Sequence, residues 1–131
     1  MSHKDETSSA ILIADDFADF RLMMKVWLES RGYRVLEAED GDQAVASTQL
    51  KRPDLILMDI GMPNRSGISA TYRIRKQPEL RNIPIVAITA YESPELQADA
   101  LKAGCVECLT KPISGDQLSD LLRRLLPIKQ Q

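Results

Sequence analysis

The chain has 131 residues, a length that suits one domain and leaves little room for two. Hydrophobic residues make up 44% of it and charged residues 27%, the composition of a soluble protein that buries a core. The net charge of −2, the lack of an apolar run near the roughly 20 residues of a membrane span, and a polar N-terminus argue against nucleic-acid-binding, membrane and secreted proteins. Two cysteines are too few for a disulfide scaffold, so we expect a protein of the reducing cytoplasm.

The two ends of the chain differ in composition from the segment between them. Residues 1–9 are rich in Ser, Thr and charged side chains, which predicts a flexible tail. Residues 127–131 are too few to form structure of their own. Hydrophobic periodicity runs between these tails, so we predict one domain over residues 10–126.

Within this domain, apolar segments alternate with amphipathic segments. The apolar segments predict strands at residues 10–14, 34–38, 54–59, 85–88 and 106–110. A helix is predicted after each strand. Apolar stripes indicate the first helix, with Phe20, Met24, Trp27 and Leu28 before a stop at Gly32, and the last helix, with Leu118, Leu121, Leu122 and Leu125. The other three are predicted at residues 42–51, from the loop of Pro63 and Gly67 to about Gln77, and at residues 93–103.

This alternation predicts an α/β fold, a five-stranded parallel sheet with five helices over its two faces. Central parallel strands are buried on both faces and should be apolar throughout. The second and fifth strands carry charges, at Arg34, Glu37 and Glu107, so we place them at the edges of the sheet. A strand order of 2-1-3-4-5 meets this condition and the right-handed crossover rule, and it predicts a doubly wound fold.

Ligand sites of such sheets lie beyond the carboxyl ends of the strands, near the point where the strand order reverses. In the predicted order this point lies between the first and third strands. Asp15 and Asp16 follow the first strand, Asp59 ends the third, Thr89 ends the fourth and Lys111 follows the fifth. Three carboxylates, a hydroxyl and an ammonium group are therefore expected to converge.

These groups suit a site that accepts a phosphoryl group. Crowded carboxylates repel one another, and a hard divalent cation with oxygen ligands, Mg²⁺ or alternatively Mn²⁺, relieves the repulsion. A carboxylate beside the cation can attack a phosphoryl group and form an aspartyl phosphate. Lys111 can neutralise phosphate charge, and the Thr89 hydroxyl can donate a hydrogen bond to a phosphate oxygen.

Four short motifs stand at the ends of the predicted strands. They are Asp15-Asp16, Asp59-Ile60-Gly61-Met62-Pro63 with Gly67, Thr89-Ala90 and Lys111-Pro112. With these motifs in this order, residues 10–126 resemble a stand-alone response-regulator receiver domain of two-component signalling. The resemblance implies a flavodoxin-like fold and a set of site roles.

By this resemblance, Asp59 is the residue that accepts the phosphoryl group. Asp16, Asp59 and the backbone carbonyl of Gly61 are implied to bind Mg²⁺ directly, and Asp15 to bind it through a water molecule. Lys111 is implied to contact the phosphate.

The resemblance also implies a switch at the fourth and fifth strands. Thr89 is expected to move toward the phosphate, and the Lys111–Pro112 peptide bond to be cis. Three residues before the lysine the family usually has Tyr or Phe, whose ring rotates with the threonine. This chain has Cys108 there, and a small thiol cannot replace that rotation.

The implied function is that of a signalling switch. A sensor histidine kinase or a histidine phosphotransfer protein is expected to donate the phosphoryl group to Asp59. The new phosphate would then switch the surface of the fourth helix, fifth strand and fifth helix, which a downstream target protein recognises. We expect a monomer or weak dimer that turns over no separate substrate and therefore is not an enzyme in the ordinary sense.

Three other interpretations remain open. A receiver-like protein-binding module that works without phosphate is favoured by Cys108 and disfavoured by the complete set of acidic and basic site residues. A small hydrolase with Asp nucleophiles, such as a haloacid-dehalogenase-like phosphatase, would favour two Asp separated by one residue at the end of its first strand, and a cap, neither of which the sequence offers. Cys105-Val106-Glu107-Cys108 has the spacing of a redox motif, but it enters a predicted strand rather than beginning a helix.

Overall fold

A computed structural model describes residues 8–126. The predicted tails at residues 1–9 and 127–131 fall outside this range, except for two serines. The carbonyl oxygens of Ser8 and Ser9 accept hydrogen bonds from the side chain and the backbone N–H of Arg34, respectively. The segment before the first strand is therefore attached to the sheet at its last two residues.

Strands and helices alternate along the described residues. The strands are β1 (Ala10–Ala14), β2 (Arg34–Ala38), β3 (Leu55–Asp59), β4 (Ile85–Thr89) and β5 (Glu107–Thr110). The helices are α1 (Ala18–Glu29), α2 (Gly41–Lys51), α3 (Ser66–Arg75), α4 (Pro94–Ala103) and α5 (Gly115–Leu125), with single 3₁₀ turns at Pro63–Arg65 and Pro78–Leu80. Within residues 8–126, no helix is both long and apolar enough to cross a membrane.

The strands form one parallel sheet in the order β2-β1-β3-β4-β5, which confirms the predicted fold. Every residue of β1, β3 and β4 is buried, because helices cover both faces of the sheet. The edge strands β2 and β5 are partly exposed. Their charged residues, Arg34, Glu37 and Glu107, therefore lie where solvent reaches them.

The sheet separates two apolar cores, since alternate side chains of a strand point to opposite faces. The core under α1 and α5 takes from the central strands Ile11, Ile13, Leu55, Leu57, Val86 and Ile88. The core under α2, α3 and α4 takes from them Leu12, Ala14, Ile56, Met58, Ile85 and Ala87. Burial on both faces fixes the register of the strands, so the residues that follow their carboxyl ends meet at one edge.

Helix ends follow local chemistry. The side chains of Asp40, Ser93 and Ser114 accept hydrogen bonds from the backbone N–H groups of Gln43, Leu96 and Gln117 and so cap α2, α4 and α5. α3 ends at Arg75, short of its predicted end, because Gln77 is held extended before Pro78. α1 begins after Phe17 without a side-chain cap, although Asp15 and Asp16 lie close by.

Candidate functional site

Three carboxylates meet at the carboxyl ends of β1 and β3. Asp15 and Asp16 follow β1 directly, and Asp59 is the last residue of β3, which pairs with β1. One carboxylate oxygen of each residue lies within 4.8 Å of the others. Asp15 and Asp59 are buried, whereas Asp16 is exposed. The structure thus brings together the carboxylates that the sequence analysis placed here.

Lys111 adds a positive charge to this cluster from the end of β5. Its Nζ atom lies 2.7 Å from Asp15 Oδ2 and 3.9 Å from Asp59 Oδ2. The ammonium group also lies 4.1 Å from the ring centroid of Phe20, a cation–π contact. One ammonium cannot balance three carboxylates, so the cluster keeps an excess of negative charge. The peptide bond between Lys111 and Pro112 is cis.

The Asp59 carboxyl is held and shifted by its surroundings. Burial raises its pKa to about 6; the Gly61 N–H, which donates to Oδ1 at 2.7 Å, offsets part of the rise, and the charge of Asp15 adds to it. Burial and a negatively charged neighbour both destabilise the ionised form of a carboxyl group. A bound divalent cation would favour that anion.

Thr89 ends β4, and its side chain is buried. Its Oγ1 accepts a hydrogen bond from the Tyr91 N–H at 3.0 Å, and its carbonyl oxygen accepts one from the Lys111 N–H at 2.8 Å. A Cβ atom on Gly61 would lie 3.7 Å from this Oγ1 and 3.3 Å from Asp59 Oδ1. The Thr89 hydroxyl and the Asp59 carboxylate therefore flank the same glycine.

Gly67 brings the start of α3 against the end of β3. A Cβ atom on Gly67 would lie 2.2 Å from the carbonyl oxygen of Asp59, far inside van der Waals contact. Only glycine fits this close approach of the two backbones. Gly67, which belongs to the second motif of the sequence, therefore allows α3 to begin directly against the backbone of Asp59.

The two cysteines lie apart from the acidic cluster. Cys108 is on β5, half-buried and paired in register with Ala87, and it packs against the core under α2, α3 and α4. Cys105 is buried, with its sulfur 3.8 Å from the Thr71 hydroxyl. Burial raises the pKa of both thiols, that of Cys105 to about 11. Neither thiol is activated as a nucleophile.

Arg21, which was not predicted as a site residue, contacts the acidic turn from α1. Its Nη1 donates to the carbonyl oxygen of Asp15 at 2.7 Å, and its Nε lies 3.0 Å from Glu37 Oε1. A signal was available, because a basic residue near a helix N-terminus opposes the helix dipole and needs another reason to be there.

A cleft of about 560 Å³ opens beside Asp16, between the loops that follow β2 and β3. The two loops contribute Asp40, Met62 and Asn64 to its walls. The donor set beside the cleft is made of carboxylate oxygens, which Mg²⁺ prefers over nitrogen and sulfur ligands. The residues present therefore fit a hard divalent cation at Asp15, Asp16 and Asp59.

Comparisons with known proteins agree with this geometry. The sequence model of the response regulator receiver domain matches residues 11–123. The phosphate regulon transcriptional regulatory protein PhoB of Pseudomonas aeruginosa is 39% identical over 116 residues, which cover 88% of this chain and 51% of PhoB. The chain thus spans about half the length of this relative. Protein PilH of the same species is 33% identical over 116 residues, covering 88% of this chain and 96% of PilH.

A solved structure resembles the chain in fold and sequence. It is the receiver domain of a sensor histidine kinase of Pseudomonas aeruginosa, with a magnesium ion coordinated in its active-site cleft. The TM-score is 0.83 and the sequence identity 37%, over 90% of this chain and 97% of that one.

Proposed function

The chain belongs to the family of response regulator receiver domains, and from this membership we propose that Asp59 accepts a phosphoryl group from a phosphohistidine in a Mg²⁺-dependent reaction. The observation that carries the proposal is the meeting of three carboxylates with Lys111 at the ends of β1, β3 and β5. The relative solved with magnesium in its active-site cleft supports the choice of cation.

The transfer needs little beyond position and charge. An oxygen of Asp59 attacks the phosphorus, an O–P bond forms, and the N–P bond of the phosphohistidine breaks. The imidazole leaves with the electron pair of that bond and takes up a proton. Lys111, held by Asp15 at 2.7 Å, is placed to hold the negative phosphoryl oxygens.

The proposed ligands of the cation are Asp16, Asp59 and the backbone carbonyl of Gly61, with Asp15 acting through a water molecule. When bound, Mg²⁺ supplies positive charge to the phosphoryl oxygens and to the crowded carboxylates. Asp59 must be ionised to attack. Because burial raises its pKa to about 6, the fraction of reactive carboxylate in the cation-free protein grows as the pH rises through that value.

The proposed output is a change at α4, β5 and α5. The phosphoryl group would draw the Thr89 hydroxyl away from the Tyr91 N–H and move the loop that precedes α4. α4 buries only Ala100 and Ala103, and its Leu101 is 51% exposed, so few apolar contacts oppose its movement. Cys108 contributes no aromatic ring to this change.

The proposed partners follow from the chemistry. A sensor histidine kinase or a histidine phosphotransfer protein donates the phosphoryl group, and a downstream protein recognises the switched face. We expect a monomer or weak dimer in the cytoplasm, where free thiols such as Cys105 and Cys108 persist. The chain modifies itself and turns over no separate substrate.

Intact-mass spectrometry after incubation with acetyl phosphate and Mg²⁺ tests the proposal. One phosphoryl adduct is expected on the wild-type chain and on Glu79→Gln, which removes an exposed carboxylate in the 3₁₀ turn before β4, at the other end of the sheet. No adduct is expected on Asp59→Asn or in the presence of EDTA. If the wild-type chain gains no adduct from acetyl phosphate and none from a phosphorylated histidine kinase, the phosphate-independent binding module, which Cys108 favours, replaces this proposal.

A further inference from the structure

The Asp15-Asp16 turn is held from the side of α1. The guanidinium of Arg21 donates from Nη1 to the carbonyl oxygen of Asp15 at 2.7 Å, while its Nε lies 3.0 Å from Glu37 Oε1 on β2. The Arg21 side chain is 12% exposed. We propose that Arg21 is a positioning residue for the cation site, that it fixes the peptide between Asp15 and Asp16, and that Glu37 fixes Arg21.

The two aspartates differ in how they are anchored. The Asp15 N–H donates to the Ala38 carbonyl at 3.0 Å. The Asp15 carboxylate accepts from the Phe17 N–H at 2.8 Å and from Lys111 Nζ at 2.7 Å. Among residues 8–126, no side chain or backbone N–H donates to the Asp16 carboxylate. The direction of Asp16 therefore depends on the peptide plane that precedes it, whose oxygen Arg21 holds.

Glu37 restricts the orientation of the Arg21 guanidinium. It lies opposite Ile13 in the register of β1 and β2, one residue before the end of the edge strand. A planar guanidinium that donates to two acceptors at once cannot rotate freely between them. The edge strand thereby orients an arginine of α1, and the arginine orients the turn after β1.

Charge alone predicts the opposite effect on the cation. A guanidinium beside an acidic cluster repels a divalent cation, so its removal should strengthen binding if Arg21 acted only through its charge. If Arg21 positions Asp16, its removal should weaken binding. The sign of the change separates the two roles. This inference rests on the proposed function, because the cation concerned is the one proposed there.

The decisive measurement is the dissociation constant for Mn²⁺, obtained from the electron paramagnetic resonance signal of the free ion. We expect the dissociation constant of Arg21→Gln to rise about ten-fold, the lower end of the loss when a group that orients a metal ligand is removed. Lys25→Gln is the matched control, because it removes the same charge from the same helix. The Nζ atom of Lys25 lies 3.9 Å from Glu37 Oε2. The control variant is expected to bind Mn²⁺ as tightly as the wild-type chain or slightly more tightly.

A second readout separates positioning from general loss of structure. The Mg²⁺ concentration that gives half the maximal phosphorylation rate should rise with Arg21→Gln, while the rate at saturating Mg²⁺ stays near that of the wild-type chain. The midpoint of thermal unfolding in EDTA shows whether the variant is folded. Should it be unfolded, Glu37→Gln replaces it and must weaken Mn²⁺ binding more than Glu39→Gln, which removes the same charge two residues later.

The outcomes are distinct. Arg21→Gln that is folded and binds Mn²⁺ as tightly as the wild-type chain, or more tightly, overturns the inference and leaves the proposed function intact. In the replacement pair, equal effects of the two glutamate variants overturn it in the same way. A wild-type chain that binds no Mn²⁺ overturns the proposed function, and the inference with it.

Discussion

The Lys111 ammonium group lies 2.7 Å from the Asp15 carboxylate and 3.9 Å from the Asp59 carboxylate. The lysine thus pairs with Asp15, whose other carboxylate oxygen accepts from the Phe17 N–H, rather than with Asp59, which is proposed to react. The Lys111 ammonium group is therefore already close to the position that a phosphoryl group on Asp59 would occupy. Asp15 therefore acts as the support of Lys111 as well as a member of the acidic cluster.

This pairing predicts that Lys111→Gln destabilises the fold. The variant leaves the buried Asp15 carboxylate without its ion pair, which should lower the free energy of unfolding by roughly 2 kcal/mol, less than for a fully buried pair because Lys111 is 18% exposed. Urea unfolding in EDTA measures the loss, with Lys102→Gln, an exposed lysine of α4, as control. Equal midpoints for the two variants would contradict the prediction.

The raised pKa of Asp59 predicts a pH dependence of stability without divalent cations. The folded chain holds a proton on Asp59 up to a pH of about 6, whereas the unfolded chain loses it near its usual 3.8. Over that interval the folded state binds more protons, so this group lowers the free energy of unfolding as the pH rises, by roughly 3 kcal/mol in all.

Asp59→Asn should remove that dependence and be more stable than the wild-type chain at neutral pH. The measurement is urea unfolding in EDTA across this pH interval for both proteins. Asp54→Asn is a suitable control, since Asp54 is a carboxylate on the opposite end of β3 that accepts from the Ala10 N–H. A wild-type profile that runs parallel to that of Asp59→Asn would show that burial does not shift this carboxyl.

The contact between α3 and β3 predicts a severe effect of Gly67→Ala. The added methyl group would lie 2.2 Å from the Asp59 carbonyl oxygen, and neither backbone can move without disturbing the site. We expect the free energy of unfolding to fall by about 3 kcal/mol. Gly115→Ala is the control, because its methyl group would lie 3.5 Å from Trp27, ordinary contact at the start of α5. A similar small loss for both variants would argue against the close approach.

The position of Thr89 predicts a separation of phosphorylation from response. Thr89→Val keeps the shape of the side chain but removes the hydroxyl, so Asp59 should still accept the phosphoryl group while the amide chemical shifts of α4 change less. The measurement is a pair of NMR spectra before and after addition of acetyl phosphate and Mg²⁺. Thr48→Val, a buried threonine that bonds the Ala44 carbonyl within α2, should respond as the wild-type chain does. If the amide chemical shifts of α4 change as much in Thr89→Val as in the wild-type chain, the Thr89 hydroxyl is not needed for the response.

Much of the fold could be predicted because the sheet is buried on both faces. Unbroken apolar runs identified β1, β3 and β4, and the charges of Glu37 and Glu107 identified the edges. Helix ends were harder, because they depend on single caps and on Pro78. The 3₁₀ turn after β3 was not predicted, since Asn64 and Arg65 adopt positive φ values without a glycine to indicate them.

The site was predicted as a set of strand ends rather than as a network of contacts. Strand order is enough to bring Asp15, Asp59 and Lys111 together. It does not show that Lys111 pairs with Asp15, nor that Arg21 reaches back to the Asp15 carbonyl. Those contacts depend on the directions of long side chains, which periodicity does not encode.

The ion pair between Asp15 and Lys111 closes a separation of 96 residues along the chain. A ribosome releases the two aspartates of β1 long before the lysine that completes their site. Until β5 leaves the exit tunnel, the nascent chain holds the Asp15 carboxylate without its ammonium partner. The ion pair can form only once the last strand of the sheet has been added, so a chain cut before β5 would leave the buried Asp15 carboxylate without this partner.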